Sequence, residues 1–236
     1  MKKQLMTMLS AALVMGCLFG CSTKTESTDT TETTEETTGG WTMNEDETVA
    51  VLPDDVQEAF DKALEGYTGV GFTPVAYLGS QVVSGTNYKI LCKGTTVTAN
   101  PETSYYTVTI YQDLDGNAEV SEVKDFNLED YNTDVEVETT QLAGGWSVND
   151  SYQVVNLPAD VQSAFDGATK DLLGVKYDPI AYLGSQVVSG TNYMILCHTT
   201  TSDANATEGM AIITVYQDLD GNSELLHVNQ LDLGNL

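Results

Sequence analysis

Beyond its first 38 residues, the chain has few side chains of the kinds that usually carry out chemistry: the thiols of Cys92 and Cys197 and the imidazoles of His198 and His227. Cys197 and His198 are neighbours, but adjacent residues of a strand point to opposite faces, so they cannot act together as nucleophile and base. No set of acid, base and nucleophile recurs along the chain. The sequence therefore predicts a protein that is not an enzyme.

Carboxylates are abundant, and one motif places them at a spacing that suggests a metal site. Asp113–Asn117 and Asp218–Asn222 both read D-L-D-G-N. An EF-hand calcium loop needs glycine at its sixth position and glutamate at its twelfth, whereas here glycine is fourth and Lys124 or Asn229 is twelfth. An Asp-Gly hairpin turn explains the motif better. We expect neither a metal nor another cofactor.

Composition and charge limit the possible partners. The chain has 236 residues, of which 41% are hydrophobic, enough to form buried cores. It carries 35 acidic residues against 9 basic ones, with a formal net charge of −26. Such a charge repels phosphate backbones and anionic lipid headgroups, so no nucleic-acid partner is expected.

The first residues indicate export and anchoring. Lys2 and Lys3 precede an apolar run that is too short to span a bilayer, and residues 1–20 end directly before Cys21. This pattern resembles a bacterial lipoprotein signal, which implies that Cys21 is acylated and holds the protein on the extracytoplasmic face of a membrane. An ordinary secretory signal is the alternative. Residues 21–38 are rich in Thr and acidic residues and are expected to form an extended tether.

The rest of the chain is an internal duplication. Gly39-Gly40-Trp41 recurs as Gly144-Gly145-Trp146, and residues 79–88, GSQVVSGTNY, recur identically as residues 184–193, both at an offset of 105 positions. A unit of this length is a small domain and not a solenoid repeat. We predict domains at residues 39–128 and 144–236, joined by a linker at residues 129–143.

Each copy contains one cysteine, so no disulfide can form within a copy. Buried free thiols are the favoured interpretation. The alternative, a bridge between Cys92 and Cys197, would need two core-facing positions to meet.

The pattern within each copy predicts one helix followed by antiparallel strands. After Pro53, one helical face carries apolar residues, and the second copy repeats that face in register. Alternating residues then indicate strands. The predicted fold class is α+β, with one helix packed on one face of an antiparallel sheet in each domain. The predicted apolar face comprises Val56, Phe60, Ala63, Leu64 and Tyr67 in the first copy, and Val161, Phe165, Ala168 and Leu172 in the second.

The duplicated stretch is expected to form a hairpin tip. Gly85 can adopt positive φ at such a tip, and Val82 and Val83 would be pushed outward because two adjacent valines cannot both face the core. The alternative is a tight turn in which one valine packs on its own sheet.

The ordered set of motifs resembles the cystatins, which inhibit papain-like cysteine proteases. The similarity covers a glycine before the first strand, the helix, a Q-x-V-x-G hairpin and a second hairpin. It implies a wedge that fills the protease cleft without laying a peptide bond across the catalytic thiol. Carried over by position, the wedges comprise Gly39, Gly40, Gln81, Val82, Val83, Ser84, Gly85, Leu114, Asp115 and Gly116, and in the second copy Gly144, Gly145, Gln186, Val187, Val188, Ser189, Gly190, Leu219, Asp220 and Gly221.

The sequence departs from the family at the second hairpin. Secreted cystatins have a Pro-Trp pair there, whereas this chain has Asp113-Leu114-Asp115. The resemblance implies a membrane-anchored inhibitor of papain-like proteases, and the alternative is a non-inhibitory cystatin-like module for surface binding or adhesion. The copies also differ at strand positions that face away from the helix, where we expect tuning of affinity: Lys89 and Lys93 against Met194 and His198.

Overall fold

A computed structural model describes residues 39–45, 51–132, 144–151, 157–204 and 206–236. The predicted signal peptide, Cys21, the tether and residues 133–143 of the predicted linker lie outside these ranges. Within the described part of the chain, no helix is long and apolar enough to cross a membrane.

The first repeat forms one five-stranded antiparallel sheet in which the strands follow their sequence order. The helix α1 lies in the chain between the first and second strands. A 3₁₀ turn at Leu128–Tyr131 crosses the predicted boundary between residues 128 and 129. The elements are β1 (Trp41–Met43), α1 (Asp54–Ala63), β2 (Val70–Val83), β3 (Gly85–Thr96), β4 (Thr103–Gln112) and β5 (Ala118–Phe126).

The second repeat forms its own five-stranded sheet with the same order of neighbours, β10-β9-β8-β7-β6. The predicted register of 105 positions holds throughout, since β7 and β8 begin and end at the counterparts of β2 and β3. The elements are β6 (Ser147–Val148), α2 (Ala159–Thr169), β7 (Val175–Val188), β8 (Gly190–Thr201), β9 (Glu208–Gln217) and β10 (Ser223–Gln230).

Both helices begin directly after a proline, as the sequence predicts. Pro53 precedes α1 and Pro158 precedes α2, and aspartates stand in the first turn, where negative charge meets the positive end of the helix dipole. The buried stripe includes Phe60 and Phe165 as expected. The helices are shorter than predicted, however, so Tyr67 and Leu172 lie beyond their ends and are exposed.

The predicted α+β class, with one helix on one sheet in each domain, is wrong. The structure is 51% strand and only 14% helix, and the two sheets are the main layers. The largest buried cluster joins residues of both sheets, so the repeats share one core. Smaller clusters lie between each sheet and its helix. The shared cluster contains Val75, Ala76, Leu78, Leu91, Tyr105, Phe126 and Leu128 of the first repeat with Ile180, Ala181, Leu183, Met194, Leu196, Met210, Ile212, Leu231 and Leu233 of the second.

This packing has a simple cause in the strands themselves. Residues 90–92 read Ile-Leu-Cys, and residues 195–197 read the same. Alternate residues of a strand face opposite sides, so Leu91 and Leu196 project from the face that the helix does not cover. An apolar run of this kind is typical of a strand that is buried on both faces. The second sheet supplies the cover that the helix cannot.

The strand positions at which the repeats differ are buried, so their side chains do not face solvent. The expectation that they tune affinity stays a prediction. Lys89 is only 2% exposed, and its Nζ atom lies 4.5 Å from the centroid of the Trp41 ring. The Lys89 ammonium also donates hydrogen bonds to the carbonyl oxygens of Leu233, at 2.6 Å, and Leu236 in the second repeat. Lys93, Met194 and His198 are buried as well.

Candidate functional site

The first hairpin is built from the paired ends of β2 and β3. Val83 pairs with Gly85, which leaves Ser84 at the tip. Gly85 has a φ of +134°, and a Cβ atom there would lie 2.3 Å from the Gln112 carbonyl oxygen. Only glycine fits this position, because the positive φ and the close approach both exclude a side chain. Val83 is 40% exposed, Ser84 is exposed and Val82 is half-buried.

The N-terminal glycines lie beside this hairpin. The Gly39 amide donates to the Val82 carbonyl oxygen at 3.2 Å, and the Gln81 side-chain amide donates to the Gly39 carbonyl oxygen at 3.0 Å. Gln81 also accepts a hydrogen bond from the Asn87 side chain at 2.9 Å. The Gln81 side chain therefore fixes the N-terminal segment, with Gly40 next to it, onto the hairpin.

The second hairpin is a turn closed around the Asp113 carboxylate. Its Oδ1 atom accepts from the amides of Asp115 and Asn117, and its Oδ2 atom accepts from the Asn117 side chain. The Asn117 hydrogen bonds hold the pKa of Asp113 below its usual value. Gly116 has a φ of +79°, and Leu114 at the tip is 87% exposed. The Asp113 carboxylate serves the turn, in agreement with the Asp-Gly hairpin that the sequence favours.

Three segments that are far apart in the sequence thus meet at one end of the first sheet, where β2 and β4 finish. Gly39 bonds to the first hairpin on one side. On the other side, Gly85 packs against the backbone of Gln112 and Asp113, where the second hairpin begins. This end of the sheet presents backbone, Val83 and Leu114 to solvent, which suits contact with a narrow apolar cleft.

The second repeat brings the same segments together at the corresponding end of its sheet. The Gly144 amide donates to the Val187 carbonyl oxygen at 3.1 Å, and Gly190 has a φ of +139°. Val187 is 70% exposed and Leu219 is 88% exposed. The remaining predicted positions lie at the same end of the sheet. Gly145, Ser189, Asp220 and Gly221 are exposed, and Val188 is half-buried. Gln186 is buried, and its side chain accepts a hydrogen bond from Asn192.

The two repeats differ here in several ways. Among the described residues, Gln186 makes no bond to Gly144 like that of Gln81 to Gly39. The exposed valine of the second repeat, Val187, is the counterpart of Val82 and not of Val83.

The Lys62 ammonium, on α1, donates to the Gly116 carbonyl oxygen at 2.6 Å and ties the second hairpin of the first repeat to its helix. The counterpart of Lys62 is Gly167, which has no side chain to reach Gly221. Sequence reasoning missed Lys62, and the signal available was the glycine, Gly167, at the corresponding position of α2.

The reactive side chains lie elsewhere. Cys92 and Cys197 are buried free thiols, as predicted, and burial raises the pKa of both well above the usual value of a thiol. Among the described residues, no group of three or more His, Cys, Asp or Glu side chains is placed to hold a metal ion.

The chain matches no protein-family model and no curated protein.

Proposed function

We propose that the protein is an inhibitor of papain-like cysteine proteases, anchored to the extracytoplasmic face of a bacterial membrane through a lipidated Cys21. The observation that carries the proposal is that the N-terminal glycines, the Q-V-V-S-G hairpin and the D-L-D-G hairpin meet at one end of a sheet, twice in one chain. These are the three segments that the resemblance assigns to an inhibitory wedge.

The wedge acts by filling a cleft. Exposed backbone at Gly39 and Ser84 can approach the protease closely, while Val83 and Leu114 supply apolar area that leaves water on binding. Hydrogen bonds already fix both hairpins, so little conformational entropy is lost when the complex forms. The wedge presents folded turns and not an extended substrate-like strand, so it blocks the cleft without being cleaved.

The charge of the wedge suggests which proteases it prefers. Leu114 stands between Asp113 and Asp115, and Leu219 stands between two aspartates in the same way. In a chain with a formal charge of −26, carboxylates beside the apolar tip favour a target whose cleft has a cationic rim. They also repel targets with an acidic rim.

The two wedges are separate sites. Both exposed tips, at Val83 and Val187, lie outside the core that the repeats share. Packing of the two sheets therefore leaves both wedges accessible, and we propose that one chain binds two proteases.

Calorimetric titration of residues 39–236 against a panel of papain-like proteases tests the proposal. We expect inhibition of at least one protease with two molecules bound per chain. Gly85→Arg and Gly190→Arg should each remove one binding site, because each side chain would meet the backbone of the adjoining hairpin. If the panel is neither bound nor inhibited by the folded protein, the inhibitor function is wrong.

A further inference from the structure

A tyrosine in each repeat connects the two hairpins of the wedge. The Tyr111 hydroxyl, at the end of β4, donates a hydrogen bond of 2.7 Å to the carbonyl oxygen of Ser84, the tip residue of the first hairpin. The edge of the Tyr111 ring lies against Gly85, 3.0 Å from the position that a Cβ atom would take. Two residues later the chain enters the second hairpin at Asp113.

The second repeat repeats this contact. The Tyr216 hydroxyl donates to the Ser189 carbonyl oxygen, also at 2.7 Å, and its ring lies against Gly190, 2.8 Å from the Cβ position. Both tyrosines are half-buried, and neither belongs to a hydrophobic core cluster of the described residues. Both side chains therefore contact the tips of the wedges.

We propose that Tyr111 and Tyr216 are positioning residues that hold each first hairpin in register with the second, so that both hairpins enter a protease cleft as one rigid surface. The inference rests on the proposed function and adds residues that lie outside the predicted contact set. A tip made of one residue next to a positive-φ glycine has few internal restraints. The tyrosine supplies a hydrogen bond from a strand that is firmly paired on both sides.

Loss of the tyrosine hydroxyl is expected to make the first hairpin more mobile, with little effect on the stability of the fold. Ser84 is an exposed residue, so its carbonyl oxygen can bond to water when the hydroxyl is removed, and the fold as a whole loses little. The hairpin would sample more conformations, and binding would then have to select the competent one. We expect an effect of about fivefold on hairpin opening and on protease dissociation, the size typical of one neutral hydrogen bond.

The experiment compares Tyr111→Phe and Tyr216→Phe with Tyr106→Phe in residues 39–236. The control removes a hydroxyl from the same strand, from a ring that packs against Phe72 and away from the tip. Amide hydrogen exchange of Val83–Thr86 and Val188–Thr191 should accelerate about fivefold in the matching variant only, with the core amides unchanged. Protease dissociation should accelerate by a similar factor at the matching site, with little change in the association rate.

The readouts separate the two ideas. Hairpin exchange that is unchanged by both tyrosine variants would overturn the positioning role, whatever the proteases do. Faster exchange with unchanged dissociation of a bound protease would also overturn it. A failure of every protease to bind would contradict the inhibitor function and, with it, the role in protease binding.

Discussion

The Leu233 side chain, near the end of the second repeat, occupies the space beside Gly79 of the first repeat, 2.7 Å from the position of a Cβ atom. The relationship is reciprocal, because Leu128 of the first repeat lies 2.9 Å from the equivalent position on Gly184. A second pair of contacts follows the same symmetry: Lys124 donates to the Leu236 carbonyl oxygen and Asn229 donates to the Tyr131 carbonyl oxygen. Each repeat therefore has a glycine, Gly79 or Gly184, whose missing side chain makes room for a leucine of the other repeat.

We predict that Gly184→Ala lowers the free energy of unfolding by about 1–3 kcal/mol, the usual cost of overpacking. The added methyl would lie 2.5 Å from the Ser147 carbonyl oxygen, a backbone atom that cannot easily move, as well as against Leu128. Urea denaturation measures the change. Gly145→Ala is the control, since a Cβ atom there meets nothing within 4 Å. Equal stability of the two variants would show that the contact is not tight.

The exposed valines should contribute to binding more than to folding. Val83→Asp and Val187→Asp should each abolish protease binding at their own wedge and change the free energy of unfolding by only about 0.5 kcal/mol. Thermal melting and titration calorimetry measure the two effects. Val97→Asp, at an exposed site outside both wedges, should change neither. A large loss of stability with binding intact would assign the valines to the fold.

Lys62 should strengthen only the first wedge. In a Gly190→Arg background, where a single site remains, Lys62→Met should accelerate protease dissociation about twofold to threefold, because the second hairpin loses its bond to α1. Lys170→Met removes the same charge from the end of α2 and serves as the control. Dissociation that responds equally to both variants would indicate a general charge effect.

Stability should fall at alkaline pH. Burial, aided by the nearby Asp130, raises the pKa of Tyr131 to about 12, and burial also raises the pKa of Tyr105, Cys92 and Cys197. A raised folded-state pKa stabilises the fold below the unfolded-state pKa, and that stability is lost as pH rises through the folded-state value. The melting temperature should therefore decline from the range of normal thiol and tyrosine ionisation upward. Part of the ultraviolet absorbance of tyrosinate should appear only together with unfolding, and ionisation of all twelve tyrosines without unfolding would contradict the expectation.

Anchoring depends on Cys21, which lies outside the described residues. Cys21→Ala should leave uncleaved precursor or release the protein from the membrane, because no acyl chain can be attached. Membrane fractionation and the mass of the mature N-terminus measure this. Normal processing together with membrane retention in the variant would disprove lipidation at this residue.

Local features of the fold could be predicted from the sequence. The prolines mark both helix starts, the offset of 105 positions aligns the two sheets, and the glycine at position 85 marks the first hairpin. These features depend on residues close together in the chain, where backbone conformation and periodicity decide the outcome. Once the strands pair, these features bring the N-terminal glycines and the two hairpins together at one end of the sheet.

The packing of the two sheets was missed because its partners are distant in sequence. Lys89 would ordinarily indicate a solvated face, yet its hydrogen-bond partner Leu233 lies 144 positions away. The signal that was available is the run Ile90-Leu91-Cys92, which has too many apolar residues for a sheet with one wet face. Such a run predicts that protein covers both faces of the strand, but it does not identify the element that covers the second face.

The reciprocal fit of the repeats gives this chain a freedom that a homodimer lacks. In a twofold-symmetric dimer every interface residue must serve at two equivalent places, so a substitution always occurs in pairs. Within one polypeptide the copies can diverge independently, and Lys89 bonds to Leu233 while Met194, its counterpart, lies in the apolar cluster. Covalent connection also holds the halves together at any dilution. A single gene product can therefore carry two copies of the proposed wedge that diverge separately, without the risk that the halves dissociate or assemble with the wrong partner.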